Sequence, residues 1–341
     1  MPQPTSTPAT TPEGNAAAAT PGGGHADGVP PGVGDAGVAP SRDGVAASAL
    51  PPERGVPLAP ARTRKAAHAL PGNAAVTEDA ASPLAVTEDA FLGGQLIIGQ
   101  PKSGPRAGLD AVFLAAACPA KAGETVLEAG AGSGIVSLAV ARRVAGAVVT
   151  AVEINPRLAD LARRNAKANG LGQAARFVDG DVTWPSSRFE ALGLAPSGFD
   201  HVLANPPFLT EGQARLPADA VLRRAHAADP SEMEGWVRFL SAFARPKGTV
   251  TLIHRADALP RLLPLMEGRF GRLLLFPLFA RKGEPAIRLI VHGIKGSRAP
   301  VQILRGLVLH RADGGFTPAA EAILRGAKRL ELEAAQTHLP G

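Results

Sequence analysis

The chain contains no tyrosine, one cysteine, three methionines and two tryptophans, and aromatic residues make up 4% of it. Without tyrosine, no phenolic hydroxyl is available for chemistry anywhere in the chain. The lone cysteine, Cys118, excludes an internal disulfide framework, and its apolar surroundings mark it as a core residue. No His/Cys cluster offers a metal-ligand set, so no metal is expected. No apolar run approaches the roughly 20 residues needed to span a bilayer. The first residues also lack the basic segment and apolar stretch of a secretory leader. These absences predict a soluble protein of the cytoplasm.

What is present divides the 341 residues into two parts. Residues 1–84 hold 14 prolines and 11 glycines and no aromatic residue. Such a stretch cannot bury enough apolar surface to offset its chain entropy, which predicts a disordered low-complexity tail. Residues 85–341 then form one domain. The pentapeptide Val76–Ala80 recurs as Val86–Ala90 and the copies diverge afterwards, so it is no repeat architecture. Ala, Gly, Pro and Arg richness suits a GC-rich genome in which valine codons start proteins, and suggests that translation begins near Val76 or Val86. The intact mass of the native protein would refute this if the tail were present.

The first chemical motif is Glu124–Arg143, in which the apolar run Val126–Leu127 meets Gly130, Gly132 and Gly134 and then a helical pattern. Glycines let backbone approach a ligand closely, and a helix N-terminus offers unpaired N–H groups. In a nicotinamide-binding motif the third glycine would fall at position 135, which is Ile135. Glu128, two residues before the first glycine, would repel a pyrophosphate and attract an ammonium. A strand ending at Glu153 follows, 23 residues after Gly130, where an acid can accept both ribose hydroxyls. A third strand, Ala175–Asp181, ends in an acid placed to accept from an adenine amino group. One such acid would be an ordinary solvated strand end. Three in succession describe S-adenosylmethionine better than a nicotinamide dinucleotide.

The second motif closes the strand beginning at Phe199, with Asn205, Pro206, Pro207 and Phe208. Each proline fixes its own φ and biases the preceding residue away from helix, so the chain leaves the strand as a stiff extended corner. Pro-Pro alone would suit any loop after a strand. This corner follows a glycine-rich strand–turn–helix, and it groups an amide oxygen, a carbonyl and an aromatic ring. Those groups suit a conjugated –NH2, such as adenine N6 or the glutamine amide.

With these residues in place, the chain resembles the Rossmann-like methyltransferases, and its Asn-Pro-Pro-Phe tetrapeptide looks like their amino-methylating branch. The segments Val86–Leu96 and Gln100–Ala117, together with the ending Leu307–Thr317, are similar to the bacterial YfiC-like valine-tRNA adenine-N6 methyltransferases. The resemblance covers residues 86–326. It implies a doubly wound α/β sheet, mostly parallel, with a C-terminal antiparallel hairpin at one edge. It also implies S-adenosylmethionine as methyl donor and an adenine in RNA, most often tRNA, as acceptor. Phe208 stands where that family more often has tyrosine; stacking survives the change and a phenol's hydrogen bond does not.

Charge placement agrees. Residues 85–208 carry equal numbers of basic and acidic residues, whereas residues 209–341 carry 20 Lys and Arg against 12 Asp and Glu. Arg215, Arg223, Arg224, Arg281, Lys282, Lys295, Arg298, Arg305 and Arg311 are candidate phosphate contacts, the electrostatic footprint of a nucleic acid. His226 reads as a loop or helix-surface residue. Remaining expected elements are a helix from Pro156 to Gly170, a capped helix Met233–Ala244 opened by Asp229–Glu232, a strand Gly248–His254, a helix near Leu259–Met266, and closing strands Arg272–Phe279 and Ala286–His292. Two other functions fit the same residues. One is a protein glutamine N5-methyltransferase, whose partner binding would be insensitive to salt. The other is a non-catalytic RNA-binding relative of the fold.

Overall fold

The computed structural model describes residues 84–104, 106–207 and 230–332. The low-complexity tail, Phe208, the arginines 215, 223 and 224, His226 and Asp229 lie outside the described residues.

The described chain opens with an antiparallel hairpin, β1 (Val86–Phe91) and β2 (Leu96–Pro101), in register from Val86 opposite Pro101 to Phe91 opposite Leu96. Helix α1 (Leu109–Ala117) follows; seven of its residues are buried, as its nearly unbroken apolar sequence requires. Cys118 sits one residue past its end, fully buried. Burial pushes its thiol up to about 11, consistent with an inert packing role.

Five parallel strands make one side of a nine-stranded sheet, with β5 at the edge: β3 (Thr125–Ala129), β4 (Val148–Glu153), β5 (Ala175–Asp179), β6 (Phe199–Ala204) and β7 (Ala244–Arg255). Strands β3 and β6 are buried along nearly their whole length because both their faces are covered, as in parallel sheets generally. The crossover helices are α2 (Ile135–Arg143), α3 (Pro156–Ala168), α4 (Ser186–Glu190) and α5 (Pro230–Phe243). In α3, Asn155 accepts from the Arg157 N–H and Pro156 occupies the first turn, where its missing N–H leaves no bond unmade. After α6 (Leu259–Met266) come β8 (Phe270–Phe279) and β9 (Ala286–Lys295). β9 pairs antiparallel with both β7 and β8. The predicted hairpin thus lies one strand inside the edge, because the two-residue strands β10 (Gln302–Ile303) and β11 (Leu307–Val308) extend the sheet beyond β8. Helix α7 (Pro318–Leu324), capped by Thr317, returns to pack against α1.

Two apolar cores flank the sheet. One gathers α1, α2 and the hairpin around Phe113, Leu114 and Leu138. The other holds the scarce aromatics: Phe189, Phe199, Phe239 and Phe243 pack edge-to-face or tilted, with centroids 4.7–6.5 Å apart. Several predicted bounds shift. Helix α5 begins at Pro230 and ends at Phe243, because Ala244 already belongs to β7. β5 ends at Asp179, so Asp181 sits in the loop beyond it.

The strand order β5-β4-β3-β6-β7 reverses direction between β3 and β6. The chain winds outward from β3 through β4 to β5, then returns to the other side of β3. In open sheets of this kind, ligands bind in the crevice outside the carboxyl ends of the strands at that reversal.

Candidate active site

A cleft of about 660 Å³ opens at that point. Its lining includes Glu128, Gly130, Gly132, Glu153, Asp181, Asn205, Pro206 and Pro207, so the structure gathers eight of the sequence-predicted site residues into one place, while Gly134 packs against Phe177 and Ala162.

The glycine turn is shaped by close approach. Gly130 (φ +73°) donates to Val152 O, and a Cβ there would collide with the Trp236 indole. Gly134 (φ +88°) caps α2, and a Cβ on it would lie 2.9–3.0 Å from Phe177 and Ala162. Both positions need glycine for space as well as for φ. The Gly132 N–H donates to Glu153 Oε2 at 2.7 Å, tying the turn to the end of β4.

Glu128 is 1% exposed. Its Oε2 accepts from the Ser137 N–H at 3.0 Å and from the Ser137 hydroxyl, so it also caps the first turn of α2. Burial raises its carboxyl to about 8, the Ser137 bonds opposing and the Glu153 charge reinforcing the shift. Glu153 is likewise buried and its carboxyl raised by burial, against bonds donated by the Asn155, Gly132 and Ile154 N–H groups. Burial thus favours the protonated form of both nearby carboxyls, and a cation bound beside them would favour their ionised form. Asp181 lies in the loop after β5 and uses Oδ1 to accept from the Thr183 N–H and hydroxyl, at 2.8 and 2.7 Å. Ile154 and Leu158 add an apolar wall beside these acids.

Asn205 also lines the cleft, one residue past the end of β6. Its Oδ1 is buried and has no hydrogen-bond partner among the described residues. A buried amide oxygen left unmet carries a penalty of roughly 1–3 kcal/mol, which a donor bound in the cleft would relieve. Pro206 is buried and Pro207 half-buried, holding the corner rigid.

Sequence reasoning missed part of the wall. Trp236 of α5 covers Gly130, and Pro101, Arg106 and Ala107 close the opposite side. Arg106 is fixed by Asp89, by Thr87 Oγ1 at 2.7 Å and by Pro101 O at 3.0 Å. Asn165, 5% exposed, stitches this side to the glycine turn. Its Oδ1 accepts from the Gly99 N–H, and its Nδ2 donates to Gly99 O and Ser133 O, all at 2.9 Å. These links join segments far apart in the chain, and no local pattern announces them.

Of the predicted phosphate contacts, Arg281, Lys282, Arg298, Arg305 and Arg311 are exposed. Lys295 corrects the expectation: its Nζ donates to Ala244 O at 2.6 Å and to Ser197 Oγ at 3.3 Å, so it pins β9 to the start of β7. Among the described residues no group of three or more His, Cys, Asp or Glu could hold a metal, and no helix is long and apolar enough to cross a membrane.

Comparison with known proteins places this geometry. Residues 107–229 match the methyltransferase small domain. A tRNA1(Val) (adenine(37)-N6)-methyltransferase from Shewanella loihica is 32% identical over 162 residues, 46% of this chain and 63% of that protein. A release factor glutamine methyltransferase from Chlorobaculum tepidum is 37% identical over 89 residues, 26% of this chain and 29% of that protein. The chain thus spans less than two thirds of either relative. The crystal structure of a predicted O-methyltransferase from Agrobacterium tumefaciens superposes with a TM-score of 0.55 at 28% identity, over 65% of this chain and 98% of that one.

Proposed function

We propose that this chain, which carries a methyltransferase small domain on a Rossmann-like methyltransferase fold, methylates the N6 amino group of an adenine in RNA, with tRNA as the substrate class and S-adenosylmethionine as donor. The observation that carries the reading is the unmet, buried Asn205 Oδ1 in a cleft also lined by Glu128, Glu153 and Asp181.

The donor fits what lines the cleft. Glu128 would hold its ammonium, Glu153 its ribose hydroxyls and Asp181 its adenine amino group. When bound, S-adenosylmethionine supplies an electrophilic methyl group on a sulfonium. The protein's task is then positioning for in-line displacement. The adenine amino nitrogen is a weak nucleophile because its lone pair is delocalised into the ring. Asn205 Oδ1 and the Pro206 carbonyl accept hydrogen bonds from its two N–H groups, returning electron density to nitrogen as positive charge develops there. The nitrogen would take the methyl as the methyl's bond to sulfur breaks, the bonding pair leaving with sulfur as S-adenosylhomocysteine, and one amino proton would pass to solvent. A base stacked in an RNA loop must first turn out to reach this corner. The exposed Arg281, Lys282, Arg298, Arg305 and Arg311 support an RNA backbone as the surrounding partner, in the cytoplasm where tRNA is modified.

A second reading has its own support in the glutamine-methyltransferase relative, since a glutamine amide presents the same flat –NH2 to Asn205. Nucleoside mass spectrometry of tRNA treated with the protein and S-adenosylmethionine decides between them. N6-methyladenosine in tRNA is the expected product. Unmodified tRNA alongside methylation of a glutamine-bearing release-factor peptide would move the second reading ahead.

A further inference from the structure

Among the described residues, the cleft contains a large aromatic surface that the reaction above does not use. Trp236 is half-buried, lines the cleft and lies directly over Gly130 at the carboxyl end of β3. Ala129 of β3 pairs with Ala204 of β6, so Gly130 and Asn205 leave neighbouring strands side by side. Trp236 therefore shares its end of the cleft with the unmet Asn205 amide. The acids Glu153 and Asp181, with Ile154, follow β4 and β5 on the other side of β3. The helix carrying Trp236 is held close: Gly235 approaches Thr183, where a Cβ would sit 3.3 Å from its Cγ2, and Arg238 donates to Thr183 O at 3.3 Å. The indole is thus presented over the junction of β3 and β6, where Asn205 leaves β6, by a helix anchored on the loop that follows β5.

We propose that Trp236 is a stacking surface for the acceptor base, a substrate-binding residue that holds its plane while Asn205 fixes its amino group. The inference rests on the adenine reading of this site. An indole face gives a base sequence-tolerant stacking energy, and two hydrogen-bond acceptors at Asn205 and Pro206 then reject bases lacking an exocyclic amino group. The two contacts divide the work: the ring is held by Trp236 and the amino group by the corner.

The test uses the full chain with Trp184→Phe, which leaves Trp236 as the sole indole, saturated with S-adenosylhomocysteine so that the donor pocket is filled. Added tRNA and adenosine monophosphate should quench Trp236 emission, and uridine monophosphate should not. Trp236→Leu should raise KM for tRNA about fivefold or more while Trp236→Phe restores most of it, as loss of one stacked base predicts. Equal thermal unfolding of the two variants excludes a folding defect. If Trp236→Leu instead weakens binding of S-adenosylmethionine and leaves KM for tRNA unchanged, the indole faces the donor's sulfonium and the proposal is overturned. Methylation of tRNA without any quenching overturns it too. Failure of the unsubstituted protein to methylate tRNA would sink the adenine reading itself, a different outcome from either.

Discussion

Asn165→Asp changes one amide nitrogen to an oxygen at a site 5% exposed, and its consequences follow from three bonds. The bond from the Gly99 N–H to Oδ1, 2.9 Å, survives. The two donations from Nδ2, to Gly99 O and Ser133 O, do not. A protonated aspartic acid donates to only one of those carbonyls, so the other is left unmet at a loss of about 1–3 kcal/mol. An ionised one points negative charge at both carbonyls in a buried place, so its folded-state pKa rises above the unfolded value of about 3.9. The folded variant then holds a proton that the unfolded chain releases. Stability must fall as pH rises, by about 1.4 kcal/mol per unit until the raised pKa is passed. Urea unfolding of the two proteins at about pH 5, 6 and 7 should therefore show a gap that widens by roughly 1–3 kcal/mol across the series. Because Ser133 belongs to the glycine turn, affinity for S-adenosylhomocysteine should drop in parallel. A pH-independent gap under about 1 kcal/mol would refute the claim that this amide clamps the hairpin to the turn.

Other consequences are as direct. Glu128, held near 8 without ligand, must lose its proton to receive a cation, so binding of S-adenosylmethionine should tighten as pH rises from about 6 to 7.5, by up to about tenfold per unit; calorimetry on Glu128→Gln should show a flat profile. In the ligand-free protein the same raised pKa works against folding as pH climbs from the unfolded carboxyl range through about 8. Burial lowers His254 and His292 to about 4, so the unfolded chain binds their protons first and stability should fall as pH drops from about 6.5 to 4. Acid unfolding of His292→Gln should lose part of that dependence. Gly130→Ala should abolish donor binding and lower Tm, since its Cβ meets the Trp236 ring and its φ is strained for alanine by about 1–2 kcal/mol; the double variant with Trp236→Ala should recover part of the stability.

The parts of the site legible in the sequence are those whose chemistry is local. Gly130, Gly132 and Gly134 declare a turn between an apolar strand and a helix, and Glu153 and Asn205 each close an apolar run. Asp181 was legible as an acid after β5, though the strand stops two residues earlier and the side chain first serves the Thr183 turn. Trp236 was not legible, because an indole in an amphipathic helix reads as core until the fold lays it over Gly130. Asn165 looks like any polar residue of α3, and only the hairpin β1–β2 passing beside it gives its amide three partners. Lys295 misled for the same reason: charge counts cannot tell a lysine facing solvent from one folded onto Ala244 O. The closing strands were read correctly as strands. Their place inside the sheet depends on β10 and β11, which at two residues each carry no periodicity to detect.

The measurement that bears most directly on the central claim is nucleoside mass spectrometry of tRNA methylated from deuteromethyl-labelled S-adenosylmethionine by the intact protein and by Asn205→Ala. Labelled N6-methyladenosine should appear with the intact protein, and be lost with Asn205→Ala while S-adenosylhomocysteine still binds. Labelled product undiminished in Asn205→Ala would contradict the assignment of the buried, unmet amide oxygen as the group that receives the amino function.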